Sequence, residues 1–126
     1  MRRGHEGVVE LIRSSEEIVL SVVVIGELIF GFRSGNRFAQ NARDLEDFLG
    51  SPYVTSIGVS QTTADRYGSI ASKLRSKGTP IPTNDLWIAA HALETGANLA
   101  TFDEHFDRVE GLFVVRPDTG RGSESE

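Results

Sequence analysis

"TNDLWIAAHALETGANLATFD", residues 83–103, sets one acid at the front of an apolar helical run and another just after a short strand-like run. Leu86, Ala89, Ala90 and Leu93 recur at helical spacing, and Gly96 supplies a stop. A helix from Asp85 to Gly96 advances the chain about 16 Å, at ~1.5 Å per residue. A strand from Asn98 to Asp103 covers about 16 Å, at ~3.3 Å per residue. If the connection at Gly96 reverses the chain, the two displacements cancel and both carboxylates finish at one edge. In open α/β sheets that edge, outside the carboxyl ends of the strands, is where ligands bind.

Outward from this stretch, strand and helix patterns alternate. "EGVVELIRS" (6–14) has the apolar period of a short helix, and "EIVLS" (17–21) reads as a buried strand. "VVVIGELIFGF" (22–32) is open to two readings: its valines favour a strand, whereas Ser21 is suited to cap a helix carrying Glu27 and Leu28. Phe38, Ala42, Leu45 and Leu49 predict a helix stopped by Gly50 and Pro52. "YVTSI" (53–57) is strand-like, and Ala64, Tyr67, Ala71 and Leu74 share the face of a longer helix ended by Gly78 and Pro80. "FVV" (113–115) is a last short strand. The polar tail, 117–126, is expected to be disordered. Residues 1–116 are thus expected to form one α/β domain with a mostly parallel sheet.

Composition narrows the function classes. A chain of 126 residues is long enough to bury roughly two thirds of its unfolded surface in one core. Cysteine is absent, which excludes disulfides and thiolate zinc sites and points to a cytoplasmic setting. The apolar run 18–32 is interrupted by Glu27 and is shorter than the ~20 residues of a membrane span. A net charge of −5 argues against nonspecific nucleic-acid binding through the overall field. It leaves room for local basic groups at Arg33 and Arg37, and at Lys73, Arg75 and Lys77, although charge runs of this kind are more often solvated helix faces.

Each acid alone has an ordinary explanation. Asn84 or Asp85 could cap a helix, Asp103 could cap a turn through "EHF", and Glu27 could point into water. Together they ask for a cation, because clustered carboxylates carry a desolvation and repulsion cost that a hard divalent ion such as Mg²⁺ or Mn²⁺ removes. His5, His91 and His105 follow no zinc spacing; His91 reads as an ordinary helix residue and His105 as a residue at the site's rim.

"VVIGELIFG" and "KGTPIPTNDLWIAAHALETGANLATFDEHFDRVEGL", with the order of elements between them, resemble PIN-domain proteins, specifically the VapC toxins of toxin-antitoxin pairs. The likeness runs from residue 5 to about residue 115. It implies a parallel sheet sandwiched between helices and a Mg²⁺- or Mn²⁺-dependent endoribonuclease acting on tRNA or rRNA. Carried over by position, Glu27 matches the acid of the "GEL" motif, Asp85 that of "NDL" and Asp103 that of "T-x-D". Thr101 and Asn84 fall beside those acids as orienting groups. The resemblance further implies a cognate antitoxin, a homodimer and no membrane association, with Leu28, Ile29, Phe30 and Phe32 as a docking face or, alternatively, as core.

One departure stands out. Family members open with a hydrophobic strand ending in "LDT", whose acid is a metal ligand, whereas this chain opens on "MRRGHEGVVELI". Without that strand, its neighbours in the sheet lack hydrogen-bond partners and apolar cover. Two expectations follow: a start upstream that restores an active nuclease, which is favoured because three acids are intact, or an impaired module that binds the antitoxin without cutting RNA.

Overall fold

The computed structural model describes residues 17–116. The expected helix at 6–14 and the expected disordered tail lie outside them.

Strand β1 (Ile18–Ser21) passes directly into helix α1 (Val22–Ser34), and Ser21 decides the ambiguity of the valine-rich run. Its backbone is still extended, at φ −68° and ψ 138°, while its Oγ accepts a hydrogen bond from the Val23 N–H at 3.1 Å. Satisfying one of the orphan donors of the first helical turn in this way outweighs the weak strand preference of the valines. In Ser21→Ala the lost cap is expected to cost about 1 kcal/mol, and the hydroxyl's second bond, to the buried His91 Nδ1 at 2.7 Å, ~1–3 kcal/mol more, seen together as a lower urea midpoint.

Helix α2 (Phe38–Leu49) ends at Gly50, as predicted, and strand β2 (Val54–Ile57) pairs parallel with β1, with Ile18 opposite Val54 and Ser21 opposite Ile57. Helix α3 (Gln61–Ser76) opens with a capping box between Ser60 and Thr63. Helix α4 (Thr83–Thr95) begins two residues earlier than the sequence predicts and ends where Gly96 takes the left-handed conformation, φ 73°, so that its N–H bonds back to Ala92. Strand β3 (Leu99–Ala100) is shorter than the expected 98–103, although the Thr101 N–H still reaches the Val115 carbonyl at 3.1 Å. A 3-10 turn (Glu104–Arg108) leads to strand β4 (Val114–Val115), which pairs parallel with β3.

The core lies where α3 packs on α4. Ala89 and Ala90 have no exposed surface, which allows the close approach that their small side chains imply. Ile70, Leu74, Leu86 and Phe106 complete the cluster. The buried stripe of α3 differs from expectation at one position. Ala64 is exposed and Thr63 is fully buried, because its hydroxyl donates to Glu94 on α4 at 2.6 Å. A polar residue is stable there only because that bond is made. Among the described residues, no helix is long and apolar enough to cross a membrane.

The α/β character and parallel pairing agree with expectation, but the strands form two separate parallel pairs, β1–β2 and β3–β4. Both β1 and β3 run against α4. Ser21, at the end of β1, bonds His91 on the helix's penultimate turn, and the chain continues to Glu27, which bonds Asn84 at the helix start. Strand β3 leaves the helix's far end and likewise returns toward its start. The segments that continue from the ends of both strands therefore meet at the amino end of α4.

Candidate acidic metal site

Asp85 occupies the first turn of α4, but neither it nor Asn84 caps the helix. Pro82 stands at the N-cap with no side-chain bond, so the capping explanation fails for both residues. The Asp85 carboxylate is thus available, with 14% of its side-chain surface exposed. Asp103 does cap: its Oδ1 accepts from the His105 N–H at 2.9 Å and fixes the 3-10 turn. That turn brings His105 Nδ1 to 3.0 Å from Asp103 Oδ1 and 3.3 Å from Asp85 Oδ2. One donor atom from each of Asp85, Asp103 and His105 lies within 4.8 Å of the others.

The two carboxylates are pushed in opposite directions. Burial raises the pKa of Asp85 above the ordinary carboxyl value, the charge of Asp103 adds to this, the hydrogen bond to His105 opposes it, and Glu27 contributes a smaller upward push. The backbone N–H of His105 lowers that of Asp103, against some desolvation, with the charges of His105 and Arg116 assisting. Opposed shifts in adjacent acids mark sites where environment has been arranged around charge.

Glu27 lies near this pair but outside the tight donor set. Its Oε2 accepts from Asn84 Nδ2 at 3.0 Å, a bond that ties α1 to the start of α4. The apolar neighbourhood expected for Glu27 is corrected by the structure: the residue is exposed, because α1 buries none of its residues fully. Thr101 acts on the backbone, its Oγ1 accepting the Asp103 N–H at 3.0 Å.

A family model described as "PIN domain" matches residues 1–112. The chain belongs to the PIN-domain family. Among curated relatives, this PIN chain is 33% identical to Ribonuclease VapC1 of Haemophilus influenzae strain R2866, over 78% of this chain and 72% of the relative. It is 32% identical to Ribonuclease VapC2 of Rickettsia felis, over 83% and 78% respectively. Among solved structures, VapBC2 from Rickettsia felis bound to a promoter DNA fragment superposes with a TM-score of 0.76 at 30% identity, covering 91% of this chain and 86% of that one. VapBC-1 from nontypeable Haemophilus influenzae superposes equally well, with a TM-score of 0.76 at 28% identity, over 91% and 86%.

The sequence reading gives His105 only a place at the site's rim and does not name Arg116. The structure sets His105, 41% exposed, beside both acids, a position fixed by the Asp103 cap that "D-x-H" spacing could have signalled. Arg116 lies 13 residues beyond Asp103 and carries no motif. Its guanidinium donates to the carbonyls of Thr101 and Asp103, at 2.9 and 3.3 Å, and makes a two-pronged pair with Asp107 at 2.8 and 2.9 Å. It clamps the acid-bearing loop without touching the Asp103 carboxylate through a hydrogen bond. Among the described residues, the carboxylates of Asp85, Asp103 and Glu27 have no lysine or arginine salt-bridge partner.

The donor set fits a hard divalent ion. Two carboxylate oxygens suit Mg²⁺ and Mn²⁺ alike, and an imidazole nitrogen beside them is more congenial to Mn²⁺.

Proposed function

We propose that this protein is a metal-dependent endoribonuclease toxin that hydrolyses phosphodiester bonds in RNA of the tRNA or rRNA class. The observation that carries this reading is the convergence of Asp85, Asp103 and His105 at the amino end of α4, in a PIN fold whose curated relatives are named ribonucleases. In it, Asp85 and Asp103 would hold Mg²⁺ or Mn²⁺ through carboxylate oxygens, with His105 Nδ1 able to join them. Glu27 stands ready beside them, oriented by Asn84. Thr101 and Arg116 keep the Asp103 backbone fixed, so that its carboxylate needs little reorganisation on binding the ion. When bound, such an ion offsets charge developing on the phosphate and makes water more acidic.

The partner in this reading is a cognate antitoxin, as in the VapBC complexes that this chain resembles. Leu28, Ile29 and Phe30 are 39%, 37% and 76% exposed, which favours a docking face over core for that part of α1. Phe32 is half-buried beside them. Homodimer formation and a cytoplasmic setting complete the proposal.

The test is incubation of purified protein with tRNA and rRNA in Mg²⁺ or Mn²⁺. Cleavage that stops on chelation is the expected result. RNA left intact at protein concentrations where a VapC ribonuclease cuts would overturn the assignment, as would cutting that survives chelation.

A further inference from the structure

A pocket of about 270 Å³ opens where α3 meets the end of the 3-10 turn, and its rim is cationic. Arg66 and Lys73 come from α3, Lys77 from its C-cap, and Arg108 is the last residue of the turn. Glu110 is the one acid among the lining residues. Its pair with Lys77, at 3.1 Å, joins two exposed groups, and such surface pairs are weak enough to exchange for another anion. Ile70, Leu74 and Val109, all buried, form an apolar floor.

The cations stand in a line. Lys73 and Lys77 follow Arg66 by seven and eleven residues, which at ~3.6 residues per turn sets both within about 20° of its direction. The row extends about 16 Å along the helix, at ~1.5 Å per residue. The basic group read from the sequence is thereby redrawn: Arg75 does not line the pocket, whereas Arg66 and Arg108 join Lys73 and Lys77. One end of the row lies toward the acidic site. Helices α3 and α4 run antiparallel, with Thr63 bonded to Glu94 near the far end of α4 and residues 77–82 leading from α3 to the start of α4. Arg108 closes the row at that near end. Its guanidinium donates to the carbonyl of Pro80, five residues before Asp85, at 2.9 Å. Arg108 also ends the turn that Asp103 caps, about 10 Å from that acid at ~2 Å per residue. A guanidinium carries five N–H donors, so an anchored Arg108 keeps others for a ligand.

We propose that this pocket is a phosphate track that holds RNA beside the acidic site, the choice of RNA resting on the ribonuclease reading above. Carboxylates in a chain of net charge −5 repel a polyanion, so the attraction has to come from local cations. A line of positive charges leading to the acids matches a strand of repeated negative charge that continues to the metal; a single anion would occupy one end of it. The aliphatic floor offers base edges no hydrogen bonds, so the track grips phosphates without reading sequence. It strengthens binding and leaves the choice of cut to the acidic site.

The test uses the full 126-residue chain and a fluorescent single-stranded dodecanucleotide RNA, titrated in chelator over a salt series. Arg66→Ala/Lys73→Ala removes two exposed side chains of the row. Arg43→Ala/Arg75→Ala removes the same charge from exposed positions elsewhere, and Arg66→Lys/Lys73→Arg keeps the charge in place. The first variant is expected to bind about 25-fold more weakly at ~0.1 M salt, about fivefold for each lost phosphate contact, with a log–log salt slope shallower by about 1.4. The other two should bind nearly as the parent does. With Mg²⁺ or Mn²⁺, the first variant should raise KM for RNA cleavage and leave kcat and the cut positions unchanged. The proposal is overturned if the first variant binds RNA as tightly as the Arg43/Arg75 control, or if the parent shows no saturable binding. Equally tight binding of polyglutamate of the same charge would overturn it too, and would assign the pocket to an acidic protein segment. A parent that cuts RNA with a KM unmoved by the first variant sinks the track and leaves the nuclease standing. A parent that binds RNA through these cations yet never cuts sinks the nuclease and leaves the track.

Discussion

Asparagine in place of Asp85 is expected to reduce metal-dependent RNA cleavage by at least about a hundredfold, the upper effect of losing a residue that merely supports a metal ligand. In chelator, the same substitution is expected to raise the thermal midpoint at neutral pH. Burial holds the Asp85 carboxyl above its ordinary value. Between the unfolded pKa of ~3.9 and the higher folded value, the folded chain binds more protons than the unfolded one, so stability falls as pH rises through that window. Above the folded value the whole penalty is present, and asparagine removes it. Asp103→Asn should also lose cleavage but move stability the other way. Its folded pKa is depressed, so its ionised form contributes stability that is present above ~3.9 and lost as pH falls through the folded value. Melts of the three proteins in chelator, at neutral pH and near pH 3, read both signs. If Asp85→Asn melts below the parent at neutral pH, or cleaves RNA as the parent does, the account of this acid is wrong.

His91→Leu is expected to be the more damaging substitution for the fold. His91 is 3% exposed, and its two ring nitrogens join three parts of the chain. Nδ1 lies 2.7 Å from Ser21 Oγ, and Nε2 lies 3.1 Å from the Gly58 carbonyl. A carbonyl only accepts, so Nε2 donates to Gly58, while Nδ1 pairs with the Ser21 hydroxyl, whose oxygen is also the cap of α1. Leucine fills much of the volume but strands the buried Ser21 hydroxyl, whereas the exposed Gly58 carbonyl can turn to water, so the loss should reach ~1–3 kcal/mol, the value for one buried group left unmatched. Equilibrium urea denaturation measures it. A loss below about 0.5 kcal/mol, the scale of an ordinary surface change, would mean that His91 is not the tie described.

The contrast between the histidines explains much of what the sequence conceals. His91 and His105 are both single imidazoles near apolar residues, and although "D-x-H" hints at the cap beside His105, no spacing points to Asp85 or to Ser21. Their roles come from partners 70 and 20 positions away, Ser21 for one and Asp85 for the other. Local signals fared better. The helix stop at Gly96, the stops at Gly50 and Gly78, and the small face of α4 are written in short-range chemistry. The convergence of Asp85 and Asp103 was legible because it needed only two lengths and a reversal. It survived an error in the strand length, since Thr101 continues the ladder beyond β3. Glu27 was placed in the right region for a reason that fails. The apolar residues around it are themselves exposed on α1, and composition cannot distinguish an uncovered apolar helix from a covered one.

Arg116 has a practical corollary for anyone handling this protein. Its guanidinium is the buckle on the loop that carries Asp103. Proteolytic trimming that stops at Val115 would leave the folded body standing yet slacken the acidic cluster, whereas an affinity tag attached beyond Arg116 leaves the buckle fastened.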